Sequence, residues 1–189
     1  VVLREPSLVV VKGDASREVV AVGEDARLML GRMPVGYVTV HPVRQGVIAD
    51  FEMTEVMLRY FIRRAIGVNF IGRPRMVLTV PSEITAMERR AVEEAVTRAG
   101  GRLAHVVDSP IAAALGCGLP VYEPMGSMIV DIGGGTTEVG VCSMGSLVVS
   151  KSLRLAGNAM DDAISAFVKR EKNPLIGDRT AEDIKIDLG

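Results

Sequence analysis

Three consecutive glycines between two strand-like segments constrain the fold of this chain more than any other feature. They lie in the run Asp131 to Glu138, which reads Asp-Ile-Gly-Gly-Gly-Thr-Thr-Glu. The apolar residues 127–130 before it are typical of a buried strand, and residues 138–142 after it alternate with period two. The glycines therefore connect strand to strand and let the backbone turn back sharply. Successive N–H groups in such a turn form a concave surface that binds anions, phosphate above all.

This arrangement differs from the two best-known phosphate-binding turns. A P-loop or a dinucleotide-binding turn connects a strand to a helix. Here neither a Gly-Lys-Ser/Thr ending nor a helical pattern follows the glycines. The residues alone predict an α/β protein with an anion-binding hairpin.

Composition limits the class of protein. The 189 residues allow one domain or two small ones, and the net charge of −1 is mixed along the chain, so we expect no nucleic-acid partner. Cys117 and Cys142 are expected to pack rather than pair, which fits a reducing cytosol. Because the chain begins at Val1 inside an apolar run, we interpret it as a fragment or as a protein with an unusual start.

Periodicity predicts the remaining elements. Residues 7–48 read as a small mixed subdomain, and residues 50–66 as a helix with one apolar face. Residues 76–107 read as a strand, a helix and a parallel strand, with capping-box spacing from Thr85 to Glu88. Further helices are predicted at 110–115, 158–169 and 180–188, and a second hairpin continues to about residue 153.

Several motifs in order carry a family resemblance. They are Glu5-Pro6-Ser7, Ala21-Val22-Gly23-Glu24, Gly46 to Phe51, Val80-Pro81-Ser82, Ala112-Ala113-Ala114, Asp131 to Glu138, and Ile176 to Lys185. Together they resemble the MreB family of bacterial actin homologues nearly end to end. The wider superfamily includes actin, Hsp70 chaperones and sugar kinases, and its fold holds ATP between two halves. The resemblance implies an incomplete actin-like α/β ATPase fold. Residues 1–130 would form domain I, with 7–48 as its small subdomain, and 131–189 would begin domain II.

The resemblance also implies roles for individual residues. Asp131 would act through water on the Mg²⁺ of bound ATP, since Mg²⁺ prefers carboxylate and retained water. Glu182 and Lys185, three apart on one helix, would contact ribose and adenine. Without the resemblance, an ordinary solvated ion pair is the favoured interpretation of these two residues. The residues implied to hold the β- and γ-phosphates are Gly133, Gly134, Gly135 and Thr136, with help from Thr137.

The chain departs from the family pattern at several places. The first phosphate hairpin and the later glycine-rich adenosine motif are both absent. Relatives place Glu-Glu-Pro where this chain has Asp108-Ser109-Pro110, so Ser109 takes the position of the glutamate that orients the attacking water. A hydroxyl cannot act as a carboxylate base. Asp131 and Ser109 are therefore the catalytic candidates of an ATPase that is slow at most.

A candidate membrane contact lies near residue 70. Val68, Phe70 and Ile71 form an apolar stretch bracketed by arginines at 63, 64, 73 and 75. An apolar segment flanked by cationic side chains suits the surface of an anionic bilayer. The MreB family carries a membrane-binding apolar loop in this region. The alternative is that these apolar side chains pack into the core.

The resulting hypothesis is a cytoplasmic filament protein at the inner face of the cell membrane. It would bind ATP, assemble with itself or with full-length MreB-type subunits, and organise cell-wall synthesis and rod shape together with morphogenesis proteins. The alternatives are a sugar-kinase or Hsp70-type ATPase, or a nonfunctional fragment. Because the missing hairpin would lie beside the strand 76–80, we expect an unpaired apolar edge there and poor solubility.

Overall fold

The computed structural model describes residues 1–67 and 72–189 of the chain. These residues form two compact units. The first contains Val1–Leu78 and Ile84–Val106, and the second contains Thr79–Glu83 and Val107–Gly189.

The first unit begins with a small antiparallel sheet. Strand β1 (Val9–Lys12) lies between β2 (Val19–Val22) and β3 (Tyr37–Val40). Because β1 is the central strand, its three valines at 9–11 are buried. Helix α1 (Glu24–Met29) follows β2, and the short strands β4 (Val43–Arg44) and β5 (Val47–Ile48) form a separate antiparallel pair.

Helix α2 (Phe51–Ile66) covers one face of this sheet. Asp50 caps its N-terminus by accepting a hydrogen bond from the Met53 amide at 3.1 Å. Met53 and Met57 are buried against the valines of β1, with Tyr60 and Phe61 packed beside them. The predicted helix and its apolar face are therefore confirmed.

A strand–helix–strand segment follows. It consists of β6 (Arg75–Val80), α3 (Ala86–Arg98) and β7 (Arg102–Asp108), and β6 pairs with β7 in a two-stranded sheet. The predicted capping box at the start of α3 is present, because the Thr85 hydroxyl accepts from the Glu88 amide and the Glu88 carboxylate accepts from the Thr85 amide. Within the described residues β7 is the only strand that pairs with β6.

The second unit is built on the glycine hairpin. Strands β8 (Ser127–Ile132), β9 (Thr137–Ser143) and β10 (Ser146–Leu153) form an antiparallel sheet with β9 in the centre. Helix α4 (Ser109–Gly116) packs on one face, where Ala114, Val121 and Cys142 form a buried cluster. Helices α5 (Gly157–Lys172) and α6 (Asp178–Leu188) follow and pack on each other. Helix α4 packs on β8 and β9, and residues 107–130 lie in this compact unit. The expected boundary between domains I and II at 130/131 stays a prediction.

The two cysteines differ in their exposure. Cys142 is buried as expected, but Cys117 is exposed because it follows the end of α4, and both thiols are free. In the described ranges no helix combines the length and the apolar character needed to cross a bilayer. The proposed membrane residues Val68, Phe70 and Ile71 lie outside the described residues.

Candidate functional site

The glycine run forms a tight hairpin between β8 and β9, as the sequence predicts. Asp131 is paired with Glu138, and Ile132 is paired with Thr137. The turn closes with a hydrogen bond of 2.9 Å from the Gly133 amide to the Thr136 carbonyl. The strand–turn–strand arrangement is therefore confirmed.

Two carbonyl groups of the turn are bonded to the first residues of α5. The Gly133 carbonyl accepts a hydrogen bond from the Gly157 amide at 3.1 Å, and the Gly134 carbonyl accepts one from the Asn158 amide at 2.8 Å. In a trans peptide the C=O and the next N–H point in opposite directions. The amides of Gly134 and Gly135 therefore point away from α5 as a pair of adjacent donors.

Close packing explains why the turn and the start of α5 contain glycine. A Cβ atom at Gly134 would lie 3.3 Å from Asn158 Oδ1, and one at Gly157 would lie 3.3 Å from the Gly133 carbonyl oxygen. Gly133 and Gly134 do not have left-handed φ angles. Gly134 and Gly157 thus allow the close approach of the turn to α5, and neither has a left-handed φ angle.

Thr137 and Lys185 hold the segments around the turn. The Thr137 hydroxyl donates to the Leu155 carbonyl at 2.7 Å, just before α5 begins. Lys185 on α6 donates from Nζ to the Gly157 carbonyl at 3.2 Å and lies 2.8 Å from the carboxylate of Asp161. Lys185 is therefore adjacent to the turn, whereas Glu182, one helical turn earlier, is exposed to solvent.

The turn is flanked by two carboxylates on adjacent strands. Asp131 is half-buried, and its partner Glu138 is only 2% exposed. Glu138 Oε2 accepts a hydrogen bond from the Ser82 amide at 3.3 Å. A pair of carboxylates offers the hard oxygen ligands that suit Mg²⁺, directly or through water.

Ser109 lies at the start of α4. Its hydroxyl donates to the Val80 carbonyl at 3.0 Å. The proton of this hydroxyl is therefore used within the protein. The structure places Ser109 in the same unit as the turn and gives it a structural hydrogen bond.

Sequence reasoning did not assign a role to Glu138, Asp161 or Asn158. Glu138 could have been recognised because it occupies the same face of β9 as Gly140 and Cys142, which are buried. A carboxylate at a buried position of an alternating strand is unusual and marks a candidate site. In the described part of the chain, no group of three or more His, Cys, Asp or Glu side chains could hold a metal ion.

The chain is similar to proteins of one family along its whole length. The model of the MreB/Mbl protein family matches residues 1–189. The cell shape-determining protein Mbl of Bacillus cereus is 46% identical over 189 residues, which are 100% of this chain and 56% of that protein. The cell shape-determining protein MreB of Escherichia coli strain K12 is 46% identical over 193 residues, with the same coverage of 100% and 56%.

Solved structures agree with this relationship. The crystal structure of MreB 5 of Spiroplasma citri bound to AMPPNP superimposes with a TM-score of 0.91 at 36% identity, covering 100% of this chain and 56% of that one. The fold is therefore the corresponding part of the actin-like ATPase fold, and the chain spans little more than half the length of the relatives it matches. A family model that matches every residue, together with relatives at 46% identity, shows that this chain belongs to the MreB/Mbl family.

Proposed function

We propose that this chain is an ATP-binding part of a cytoskeletal, cell shape-determining protein of the MreB class. The observation that carries the proposal is the direction of the Gly134 and Gly135 amides. Their preceding carbonyls are bonded to the start of α5, so both N–H groups point the other way and can donate to one anion. The nucleotide analogue in the crystal structure of the Spiroplasma relative supports the choice of a nucleotide.

The remaining site residues fit this ligand. Gly133, Gly134, Gly135 and Thr136 would surround the terminal phosphates, and Thr137 would hold the loop before α5 rather than contact the nucleotide. Asp131 would bind Mg²⁺ through water, and that cation would neutralise phosphate charge. Lys185 lies beside Gly157 and would contact the ribose side of the nucleotide, while the exposed Glu182 remains a more distant candidate.

Filament formation and control of cell shape are proposed on the family relationship. The matching relatives are cell shape-determining proteins, and this chain covers 56% of their length. We therefore expect it to assemble with itself or with full-length subunits of its family. The alternative of a sugar kinase or an Hsp70-type ATPase is not favoured, since the relatives at 46% identity are Mbl and MreB proteins.

Contact with an anionic membrane surface is a separate part of the proposal. It depends on Val68, Phe70 and Ile71 together with the arginines around them. Two of those arginines are bonded within the first unit, because Arg64 pairs with Glu5 at 2.9 Å and Arg73 donates to the Gly101 carbonyl at 3.0 Å. The exposed side chains at 63 and 75 would then meet the lipid headgroups.

Liposome sedimentation tests the membrane contact. The double change Phe70→Ser and Ile71→Ser should abolish binding to vesicles that contain phosphatidylglycerol, because the apolar tip supplies the insertion energy. Val35→Ser is a matched control, since Val35 is a fully exposed apolar residue elsewhere in the first unit. Unchanged sedimentation of the double variant would reject the membrane contact.

Nucleotide binding is tested by titrating a fluorescent ATP analogue with and without Mg²⁺. The wild-type chain should bind saturably, and Gly134→Val should bind at least about tenfold more weakly because its side chain would displace the turn from Asn158. Gly116→Val is the control, since a Cβ there meets no atom within 4 Å. Equal binding by all three proteins would contradict a role for the turn.

A further inference from the structure

Exposed apolar side chains lie at the end of the second unit's sheet that is farthest from the glycine turn. The turn between β9 and β10 contains Met144, and the loop before β8 contains Tyr122 and Met125. Each of these three side chains is more than half exposed. The Tyr122 ring lies on the turn, since a Cβ at Gly145 would lie 3.3 Å from its Cδ1 atom. We call the three residues, together with the exposed Glu123, the tip patch.

Backbone hydrogen bonds hold the loop of the tip patch on the turn. The Met144 amide donates to the Glu123 carbonyl at 3.1 Å, and the Gly145 amide donates to the Val121 carbonyl at 2.8 Å. Val121 itself is buried in the cluster under α4. A surface that is already fixed in this way loses little conformational freedom when a partner binds to it. The tip patch is therefore preorganised for contact with another molecule.

The backbone at Met144 is unfavourable for methionine. The φ angles of Met144 and Gly145 are 51° and 78°, the combination of a type I′ turn, in which asparagine or glycine is favoured at the first position. Because the Met144 side chain is exposed, the fold gains nothing by burying it. Methionine is a flexible, adaptable side chain at binding surfaces. Contact with a partner explains why methionine occupies this position.

The sequence around the tip patch carries one sign of charge, and a segment of the first unit carries the other. Residues 109–150 contain three acidic residues and no Lys or Arg. Residues 26–49 contain three arginines and no Asp or Glu. Within that second segment, the loop 31–36 combines the exposed Arg32 with the fully exposed Val35. This loop, which we call the basic loop, thus complements the tip patch in both charge and apolar character.

We propose that the tip patch of one copy of this chain binds the basic loop of a second copy. In this contact Glu123 pairs with Arg32, and Val35 packs among the apolar side chains of the tip patch. The two surfaces differ from each other, so the contact is heterologous, and its repetition builds a ring or an open filament. The inference rests on the proposed self-assembly and names the two surfaces that carry it.

Charge reversal tests the pairing of the two surfaces. Sedimentation velocity at increasing protein concentration, with ATP and Mg²⁺ in every sample, measures self-association. Glu123→Arg and Arg32→Glu should each weaken it at least about tenfold, because like charges then meet. An equal mixture of the two variants should restore it, since each tip patch again meets a basic loop of opposite charge. Glu83→Arg reverses an exposed carboxylate elsewhere in the second unit and should have no effect.

Met144→Asn tests the apolar part of the contact without damage to the fold. Asparagine suits the first position of a type I′ turn, so the thermal midpoint should stay the same or rise. Self-association should nevertheless fall at least about fivefold, because an apolar side chain is removed from the contact. Met87→Asn, at an exposed methionine of the first unit, is the matched control and should leave self-association unchanged.

All of these proteins should carry Val77→Lys, so that association through the exposed residue of β6 does not contribute. If this parent associates and the charge variants associate equally well, or if their mixture associates no better than either variant alone, the inference is wrong while self-assembly through other surfaces stands. If the parent remains a monomer at every concentration, the inference and the proposed self-assembly both fail.

Discussion

Lys185 on the last helix forms an ion pair with Asp161 on the helix that begins at the glycine turn. Its Nζ atom lies 2.8 Å from the carboxylate and also donates to the Gly157 carbonyl, so one side chain connects α6 to the first turn of α5. The Gly157 amide is in turn bonded to the Gly133 carbonyl of the glycine turn. Both charged groups are largely buried. This contact should contribute more than a surface ion pair does.

Replacing Lys185 by Met should therefore destabilise the second unit. The change leaves Asp161 without its cation and the Gly157 carbonyl without a donor, and the cost should be about 1–3 kcal/mol. Lys172→Met, at an exposed position near the end of α5, should change stability by no more than about 0.5 kcal/mol. Urea denaturation followed by circular dichroism measures the unfolding free energy of both variants. Equal stability of the two variants would show that the ion pair does not hold α6 in place.

The glycine at 140 should be intolerant of even one methyl group. A Cβ there would lie 2.7 Å from Pro110 and 3.0 Å from Leu147, so Gly140→Ala overpacks the interface of α4 with the sheet. We expect a loss of about 1–3 kcal/mol. Gly116→Ala should instead be neutral or stabilising by up to about 1 kcal/mol, since its Cβ meets open space. Gly140→Ala should thus lower the unfolding free energy while Gly116→Ala does not, and an equal loss in both variants would contradict the packing of α4.

Asp50 should stabilise α2 in a pH-dependent way. Burial raises the pKa of its carboxyl, but the hydrogen bond from Arg17 and the bond from the Met53 amide outweigh burial, and the pKa lies below the ordinary value of 3.8. A lowered pKa in the folded state stabilises the protein above pH 4, and this contribution is lost as the pH falls through the folded value. Asp50→Ala should therefore cost about 1 kcal/mol at pH 7 as a lost helix cap, and less at pH 3. Urea melts measure the unfolding free energy of the wild type and of Asp50→Ala. If the loss caused by the substitution is the same at pH 7 and pH 3, this account is contradicted.

The two cysteines should differ in reactivity. Burial raises the pKa of the Cys142 thiol, which lies in the cluster under α4, whereas Cys117 is exposed. Because the thiolate is the reactive form, iodoacetamide at pH 8 should label Cys117 first and Cys142 only after unfolding. Mass spectrometry of the native and urea-treated chain checks this order. Rapid labelling of native Cys142 would mean that α4 does not cover the sheet as described.

The edge of β6 should make the chain prone to aggregation. β6 pairs only with β7 within the described residues, and Val77 on it is 61% exposed. A charged residue on an exposed edge opposes pairing with another chain, so Val77→Lys should increase the soluble fraction after centrifugation. Val35→Lys adds the same charge at a fully exposed position outside any strand and should have a smaller effect. If Val77→Lys and Val35→Lys increase the soluble fraction equally, the added charge acts generally and the β6 edge is not the cause of aggregation.

Sequence patterns correctly predicted the structural elements that are fixed by residues close together in the chain. The apolar face of α2, the Thr85 capping box and the glycine hairpin each depend on residues close in sequence. Contacts between distant segments were not predictable in the same way. The packing of α4 on β9, for example, joins residues that are about 30 positions apart, and periodicity carries no information on that contact.

The same distinction applies to the candidate site. The turn glycines and Asp131 could be identified from one contiguous motif. Lys185 required the family resemblance, because its partners Gly157 and Asp161 are 28 and 24 residues away. The burial of Glu138 became apparent only from the structure, since its partner, the Ser82 amide, is 56 residues away in the chain.

Nitrogen-15 NMR of the turn tests the central claim most directly. Spectra of the labelled chain should be recorded while ATP and Mg²⁺ are added, with glycine resonances assigned by substitution. If the turn binds the terminal phosphates, the amide protons of Gly134 and Gly135 move downfield as they donate to phosphate oxygens, while that of Gly116 stays in place. If ATP binds and the Gly134 and Gly135 amides do not move, the nucleotide is held elsewhere and the account is contradicted.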